Sequence, residues 1–397
     1  MDKDKYKRLL LNKLFCSLEE MLITSKEQNN LPIYDDILVI QFNGIGDNIM
    51  STGFIRELYL NNSTKNIWLL TNDNGYAIYE NCPYLYKIIK FNLISKNLIE
   101  FSKLVVEQIY YTFWNFKFDK IFIPQWGGPN LAASVCANLI GAHEVIGYGI
   151  NQYMIYGLQP ITDIDIDKLC LTKQIFHPLD MYNDTYRKFY ILESIGYNIS
   201  SYKLELWLSE NDYYRIPSNS IILGIGGSLK CKKYPINLLI NACIEINKLN
   251  QHTFIIIGSN NEVQDSLLLE KVFKENNISY INLVNKLTIR QVISTISQSQ
   301  LYIGNDTFTL HVAAVFNKPI IGLYMEAKDK TLLPGYLSSI QRFAPYNYSN
   351  IQILQPEHAL DNCQNINIHG GCASNEAHCI TSITPQQIIE AYKKAII

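Results

Sequence analysis

Three short segments gather residue types able to do chemistry. In the first, Gly44, Gly46 and Asp47 follow the apolar run 37–40. Two glycines free the chain to turn sharply from a strand into a helix. A carboxylate at the start of that helix can either accept unpaired backbone N–H groups or take a proton from a hydroxyl. Both readings of Asp47 stand at this point. The GxGxxG frame of a nicotinamide-dinucleotide site is not met, because Ile49 holds the third glycine position, although Asp73 does follow the next strand.

The second segment is GGSLKCKKYP, residues 226–235. Gly226 and Gly227 let the backbone approach a phosphate, Ser228 offers a hydroxyl, Lys230, Lys232 and Lys233 offer cations, and Pro235 suits the first turn of a following helix. A solvated basic turn is the plain alternative. The position directly after the first strand of an α/β unit favours an anion cradle, while the GxxxxGK[ST] spacing of a Walker loop fails. In the third segment Asp306 and Thr307 leave a strand and open a helix. His311 follows one turn later, and Ala313 and Ala314 are small enough for close packing. A pyrophosphate can sit on the free N–H groups of such a helix start. A capping aspartate and a satisfied half-buried histidine are the structural alternatives.

The elements that must position these residues alternate throughout. Strands are expected at 37–40, 67–70 and 119–123, with helices over 49–59 and 101–116. A second series begins with a strand at 220–225, a helix at 236–249, a strand at 253–257 and a helix at 262–276. It continues with a short strand near 280–281, a helix at 289–297, a strand at 301–303, a helix at 310–316 and a strand at 319–323. Apolar runs of strand length alternating with amphipathic helices predict two α/β, doubly wound parallel sheets. Ligands in such sheets bind beyond the carboxyl ends of the strands, so two of them are expected to enclose a cleft lined by both sets of loops. The expected organisation is an N-terminal helical extension over 1–35, a Rossmann-like domain over 36–212, a second Rossmann-like domain over 213–380, and a terminal helical segment over 381–397. The polar stretch 209–219 marks the boundary.

A chain of 397 residues is long enough for two cores, and its 48% hydrophobic and 18% charged residues describe a globule rather than a disordered chain. A formal net charge of −2 recruits neither nucleic acid nor an anionic membrane, so any attraction to an anion must be local. No apolar run reaches the roughly 18 residues of a membrane span. Nine cysteines, an odd number and scattered, read as reduced thiols of a cytoplasmic protein. His358, Cys363, His369, Cys372, His378 and Cys379 crowd together late in the chain, but without CxxC or HxxxH spacing they are expected to be thiols and imidazoles rather than a zinc site.

Taken in order, these segments resemble glycosyltransferase family 9, the ADP-heptose:lipopolysaccharide heptosyltransferases. ILVIQFNGIGDNIMSTGFIREL is similar to the family's opening strand and G-D turn, IILGIGGSLKCKKYP to its phosphate loop ending in K-x-W-P, and INLVNKLTIRQVISTISQSQLYIGNDTFTLHVAAVFNKPIIGLY to its donor block. The resemblance implies a GT-B fold of two Rossmann-like domains facing across a cleft, the acceptor domain over 36–212 and the nucleotide-sugar domain over 213–380, with the terminal helix over 381–397 packing back on the first domain. It implies inverting, metal-independent transfer of a sugar from a nucleotide diphosphate, such as ADP-heptose, to a hydroxyl of a glycan or lipid-linked saccharide, with no cofactor beyond the donor substrate.

By the same resemblance Asp47 is the general base, with Gly44, Gly46 and Asn48 on the acceptor side. The donor side comprises Gly227, Ser228, the phosphate-binding Lys232, the ribose-binding Glu262, Asp306 on the donor sugar, and Thr307, Thr309, Leu310 and His311 around the diphosphate. Surface-polysaccharide synthesis in the cytoplasm, with peripheral contact at the inner membrane, follows as an expectation. Two positions depart from the pattern: Phe308 stands where the family has glycine, and Tyr234 where it has tryptophan. The competing functions are an epimerase-like GT-B enzyme, which needs no acceptor, a dinucleotide-dependent dehydrogenase, and a non-catalytic sugar-binding protein.

Overall fold

The computed structural model describes residues 33–91, 107–109, 111–113, 116–125, 130–148, 170–176, 182–329, 338–360, 366–367, 371–372 and 376–396. The expected extension over 1–35 lies almost wholly outside these residues, as does most of the expected helix over 101–116. The chain divides into two compact units, Met1–Tyr202 and Lys203–Ile397, so the division falls a few residues before the polar stretch 209–219.

The first domain is one six-stranded sheet in the order β3-β2-β1-β4-β5-β6. Its strands are β1 (Ile33–Gln41), β2 (Ile67–Thr71), β3 (Lys87–Lys90), β4 (Lys117–Ile123), β5 (Ala142–Tyr148) and β6 (Lys173–Ile175), and every pairing is parallel. Ile37, Leu38, Val39 and Ile40 are all fully buried, because helices cover both faces of such a sheet and leave no side of β1 for polar residues. The expected single helix over 49–59 is two helices, α1 (Ile45–Ile49) and α2 (Thr52–Asn61). The Ser51 hydroxyl donates to the carbonyl of Asp47 at 3.0 Å, and such a local side-chain bond competes with a continuous helix.

The second domain repeats the plan in the order β12-β11-β10-β7-β8-β9. It contains β7 (Ser220–Gly224), β8 (Thr253–Ile257), β9 (Ser279–Asn282), β10 (Leu301–Asn305), β11 (Ile320–Leu323) and β12 (Ile351–Leu354), again all parallel. β7 and β10 approach closely at glycines: a Cβ on Gly304 would stand 2.6 Å from the carbonyl oxygen of Gly224 and 2.6 Å from the Tyr302 hydroxyl. The terminal helix, here α11 (Pro385–Ile396), buries Ile388, Ile389, Ala391 and Tyr392 in the core of the second domain, together with residues of α6 (Ile236–Leu249) such as Ile240 and Cys243. Among the described residues no helix is long and apolar enough to cross a membrane.

Candidate functional site

Strand order decides which loops meet. In each sheet the chain turns outward in opposite directions from a central pair, β1 with β4 in the first and β7 with β10 in the second, and ligands of open α/β sheets bind at these switch points. The loop after β7 carries the lysines, and the loop after β10 carries Asp306.

The two loops are joined by charge. Lys232 Nζ donates to Asp306 Oδ2 at 3.0 Å, with side-chain exposures of 16% and 7%. Burial works against the Lys232 ammonium, but the charge and hydrogen bond of Asp306, with Glu326 and Cys231 nearby, more than offset it and hold its pKa above the ordinary lysine value. Lys232 is therefore a cation at neutral pH. Lys233 makes an analogous pair with Glu262, whose carboxylate is almost wholly buried. The other Glu262 oxygen accepts from the amide of Ser259 at 2.8 Å and from its hydroxyl at 2.7 Å, which closes a capping box at a short 3-10 turn, Asn260–Glu262. Both carboxylates expected to hold a nucleotide sugar are thus paired with lysines of the loop after β7.

At Gly227 the constraint on the loop is space rather than a left-handed turn. A Cβ on Gly227 would meet Lys233 Cγ at 2.9 Å, and neither Gly226 nor Gly227 has a positive φ. Ser228 and Lys230 are exposed, as in a solvated basic turn, whereas Lys232 is half-buried.

The helix after Asp306 is α9 (Phe308–Val315), two residues earlier than the expected start. Thr307 is its N-cap, yet its side chain makes no capping bond. The Thr307 hydroxyl instead lies 2.8 Å from Thr309 Oγ1, which is 2.7 Å from the Tyr302 hydroxyl. Burial pushes the Tyr302 phenol up to about 12, so its hydroxyl stays protonated within this chain. With the cap side chain turned away, the first amides of the helix keep their orphan donors and the positive end of its dipole for an anion.

Several donor-side expectations change in detail. The Leu310 side chain is fully buried, and its amide already donates to the carbonyl of Thr307 at 3.1 Å, which removes it from the available donors. Thr309 turns its hydroxyl into the domain, and His311 is 6% exposed inside the helix. Phe308 is half-buried at the first helical position.

In the first domain Asp47 occupies the third position of α1, half-buried, behind an N-cap at Gly44 whose backbone is extended at φ −65°, so the turn uses no glycine-only conformation. Asn48, assigned to the acceptor side, lies beneath the turn: it is fully buried and donates from Nδ2 to the carbonyls of Asn43 at 3.1 Å and Gly44 at 2.9 Å. Gln41 Nε2 donates to the Asp47 carbonyl at 3.2 Å and to Ser51 Oγ at 2.8 Å, while the Phe42 amide donates to Gln125 Oε1 at 3.1 Å across the β1–β4 switch point. Asp73 opens α3 (Asp73–Tyr79) and pairs on the surface with Lys90 at 2.9 Å.

Of the late Cys/His residues, His358 is exposed 3.7 Å from Asp329, and His378 Nδ1 lies 3.3 Å from the buried Cys379 thiol. Cys363 and His369 fall outside the described residues. Two residues that the sequence did not single out belong to the site: Asn305, buried beside Asp306, and Glu326, whose charge reaches Lys232 and whose carboxylate accepts from Ser339. A polar residue inside an apolar strand is the one signal that could have found Asn305.

Residues 217–366 match the family model of glycosyltransferase family 9 (heptosyltransferase). The lipooligosaccharide heptosyltransferase 2 of Campylobacter jejuni serotype O:6 is 23% identical over 154 residues, which are 38% of this chain and 44% of that protein, so the chain matches less than half the length of this curated relative. The corresponding protein of serotype O:2 is 22% identical over 156 residues.

Among solved structures, a family 9 glycosyltransferase from Veillonella parvula aligns with a TM-score of 0.70 at 15% identity, over 91% of this chain and 97% of that one. The ADP-heptose lipopolysaccharide heptosyltransferase II of E. coli aligns at 0.63 and 15% identity, over 91% and 98%. E. coli heptosyltransferase WaaC, solved with ADP-2-deoxy-2-fluoro heptose, aligns at 0.63 and 10% identity, over 90% and 99%. The chain therefore has the GT-B fold of two Rossmann-like domains, and its second domain carries the glycosyltransferase family 9 (heptosyltransferase) match at residues 217–366.

Proposed function

We propose that the protein is an inverting, metal-independent glycosyltransferase that moves a heptose from a nucleotide diphosphate donor such as ADP-heptose to a hydroxyl of a glycan acceptor in lipopolysaccharide or other surface-polysaccharide synthesis. The observation that carries this reading is the Lys232–Asp306 pair at the second domain's switch point, beside a helix start whose cap side chain is turned away. An ammonium and a helix N-terminus are what a departing diphosphate needs, since negative charge grows there as the glycosidic C–O bond breaks. The relatives named above support heptose as the sugar and a lipooligosaccharide or lipopolysaccharide as the acceptor class.

In the proposed step the acceptor oxygen attacks the anomeric carbon while the electron pair of the breaking bond leaves with the diphosphate. Asp47 takes the proton of the attacking hydroxyl. A single displacement inverts the anomeric centre. Lys232 and the first amides of α9 hold the leaving group, Asp306 receives a hydroxyl of the donor sugar, and Glu262 receives the ribose once Lys233 gives way. Lys232 supplies in this scheme the positive charge that a metal ion supplies elsewhere. A cytoplasmic enzyme touching the inner face of the membrane fits a soluble donor and a lipid-linked acceptor.

A thermal-shift series with nucleotide sugars tests the donor assignment, because a ligand that binds only the native state raises the melting temperature. ADP-heptose is expected to stabilise the protein and to be consumed only when an acceptor saccharide is added. Consumption without acceptor favours an epimerase-like enzyme, binding without turnover a sugar-binding protein, and no stabilisation by any nucleotide sugar discards the reading.

A further inference from the structure

Asn305 ends β10 one residue before Asp306 and is 2% exposed. Its side-chain amide makes three hydrogen bonds, all to the loop that carries the lysines. Oδ1 accepts from the Tyr234 amide at 3.0 Å, and Nδ2 donates to the carbonyls of Gly226 at 2.9 Å and Ile225 at 3.2 Å. One side chain thus holds the entry of the loop, at Ile225 and Gly226, and its exit, at Tyr234. Lys232 rides between these anchors on a 3-10 turn, Lys230–Lys232, and reaches back to the residue that follows Asn305. The exit is fixed a second time by the Tyr234 hydroxyl, which donates to the carbonyl of Ile383 at 2.7 Å, whereas the entry begins with two glycines.

We propose that Asn305 is a positioning residue of the donor site, which sets the place of the Lys232 ammonium relative to Asp306 by clamping both ends of the loop after β7. The chemistry of the clamp is specific. Two carbonyls and one N–H require two donors and one acceptor on a short side chain, and only asparagine offers that set at this length. Aspartate keeps the acceptor for Tyr234 but places its second oxygen against two carbonyls, and glutamine carries the same groups one methylene too far. A loop released at its glycine end retains its lysines but holds no single position for them, so the loss falls on the diphosphate rather than on the fold.

This inference rests on the donor-site reading above, and the test separates the two. ADP is the probe, and its affinity is measured by calorimetry for the wild type, Asn305→Asp, Lys232→Ala and the double variant, with circular dichroism and melting temperature recorded for each. Asn305→Asp is expected to weaken ADP binding at least tenfold while remaining folded. Lys232→Ala is expected to cost at least fivefold less in the Asn305→Asp background than in the wild type, because a lysine already misplaced has less to lose.

Unchanged ADP affinity in Asn305→Asp overturns the clamp, and so does a Lys232→Ala penalty that is equal in both backgrounds, since a merely structural residue gives additive losses. If Asn305→Asp does not fold, Asn305→Ser, which keeps one small hydroxyl, runs through the same cycle with the same criteria. A wild type that does not bind ADP brings down the donor-site reading, and the clamp with it.

Discussion

Lys232 and Asp306 stand 74 positions apart in the chain and 3.0 Å apart in the fold, joined across neighbouring strands that are themselves non-consecutive. The pair keeps a half-buried ammonium and a buried carboxylate satisfied. Replacing Lys232 with alanine removes the cation and leaves Asp306 without its partner. Charge-assisted hydrogen bonds contribute roughly 1.5–3 kcal/mol, so ADP affinity is expected to fall about 10- to 100-fold. Calorimetric titration of Lys232→Ala with ADP checks this, and an unchanged dissociation constant removes Lys232 from the donor site.

Asp47 is assigned a different step and should give a different signature. A base that acts only on the acceptor hydroxyl is expected, when changed to asparagine, to lower kcat by about 10²- to 10⁴-fold while ADP affinity stays within about twofold. Asparagine preserves the size of the side chain, and the loop beneath it is held independently by Gln41 and Asn48. Turnover at the wild-type rate would end the assignment.

Acid sensitivity has a definite source in the second domain. Asp212 is buried and accepts from Arg290 through both oxygens, at 2.8 Å and 2.7 Å, and these bonds, aided by the Ser209 amide and hydroxyl, lower its pKa to about 2 despite burial. A carboxylate with a depressed folded-state pKa stabilises the protein above its unfolded pKa of about 3.9, and loses that contribution as pH falls towards 2. Asp212→Asn is therefore expected to cost about 2 kcal/mol at pH 7, the deficit shrinking below pH 4 and vanishing near pH 2. Urea unfolding of both proteins between pH 7 and pH 2 measures it, and a deficit independent of pH would exclude ionisation as the cause.

The packing of β7 against β10 sets a separate limit. A methyl on Gly304 would stand 2.6 Å from the Gly224 carbonyl oxygen, which is backbone and cannot rotate aside. Overpacking of this kind costs about 1–3 kcal/mol, so Gly304→Ala is expected to lower the melting temperature by several degrees and, through the displaced Asn305 and Asp306, to weaken ADP binding as well. A fully stable Gly304→Ala protein would show that the two strands can separate without cost.

Much of this protein was written in its sequence. Unbroken apolar runs such as 37–40 and 254–257 have the length and β-branched content of strands buried on both faces, and their alternation with amphipathic helices leaves a doubly wound sheet as the economical solution. Glycines, lysines and aspartates at the strand ends then marked Asp47, Lys232 and Asp306, because the ends of such strands are where ligands bind. The edge strands β3, β6 and β12 and the inner strand β5 were not legible, since the edge positions Lys87 and Lys90 in β3 and the mixed residues of β12 mask the apolar signal.

What the sequence did not hold was partnership. It offered Asn48 and Leu310 as contacts of the site, and the fold turns one under the loop and the other into the core. It passed over Asn305, whose three bonds exist only because β10 lies beside β7 and not beside β9. Local residue types fix which elements form, through short-range sterics and hydrophobic period. Which side chains share a charge or a hydrogen bond depends on strand order, and strand order is settled only when the whole sheet closes around its core.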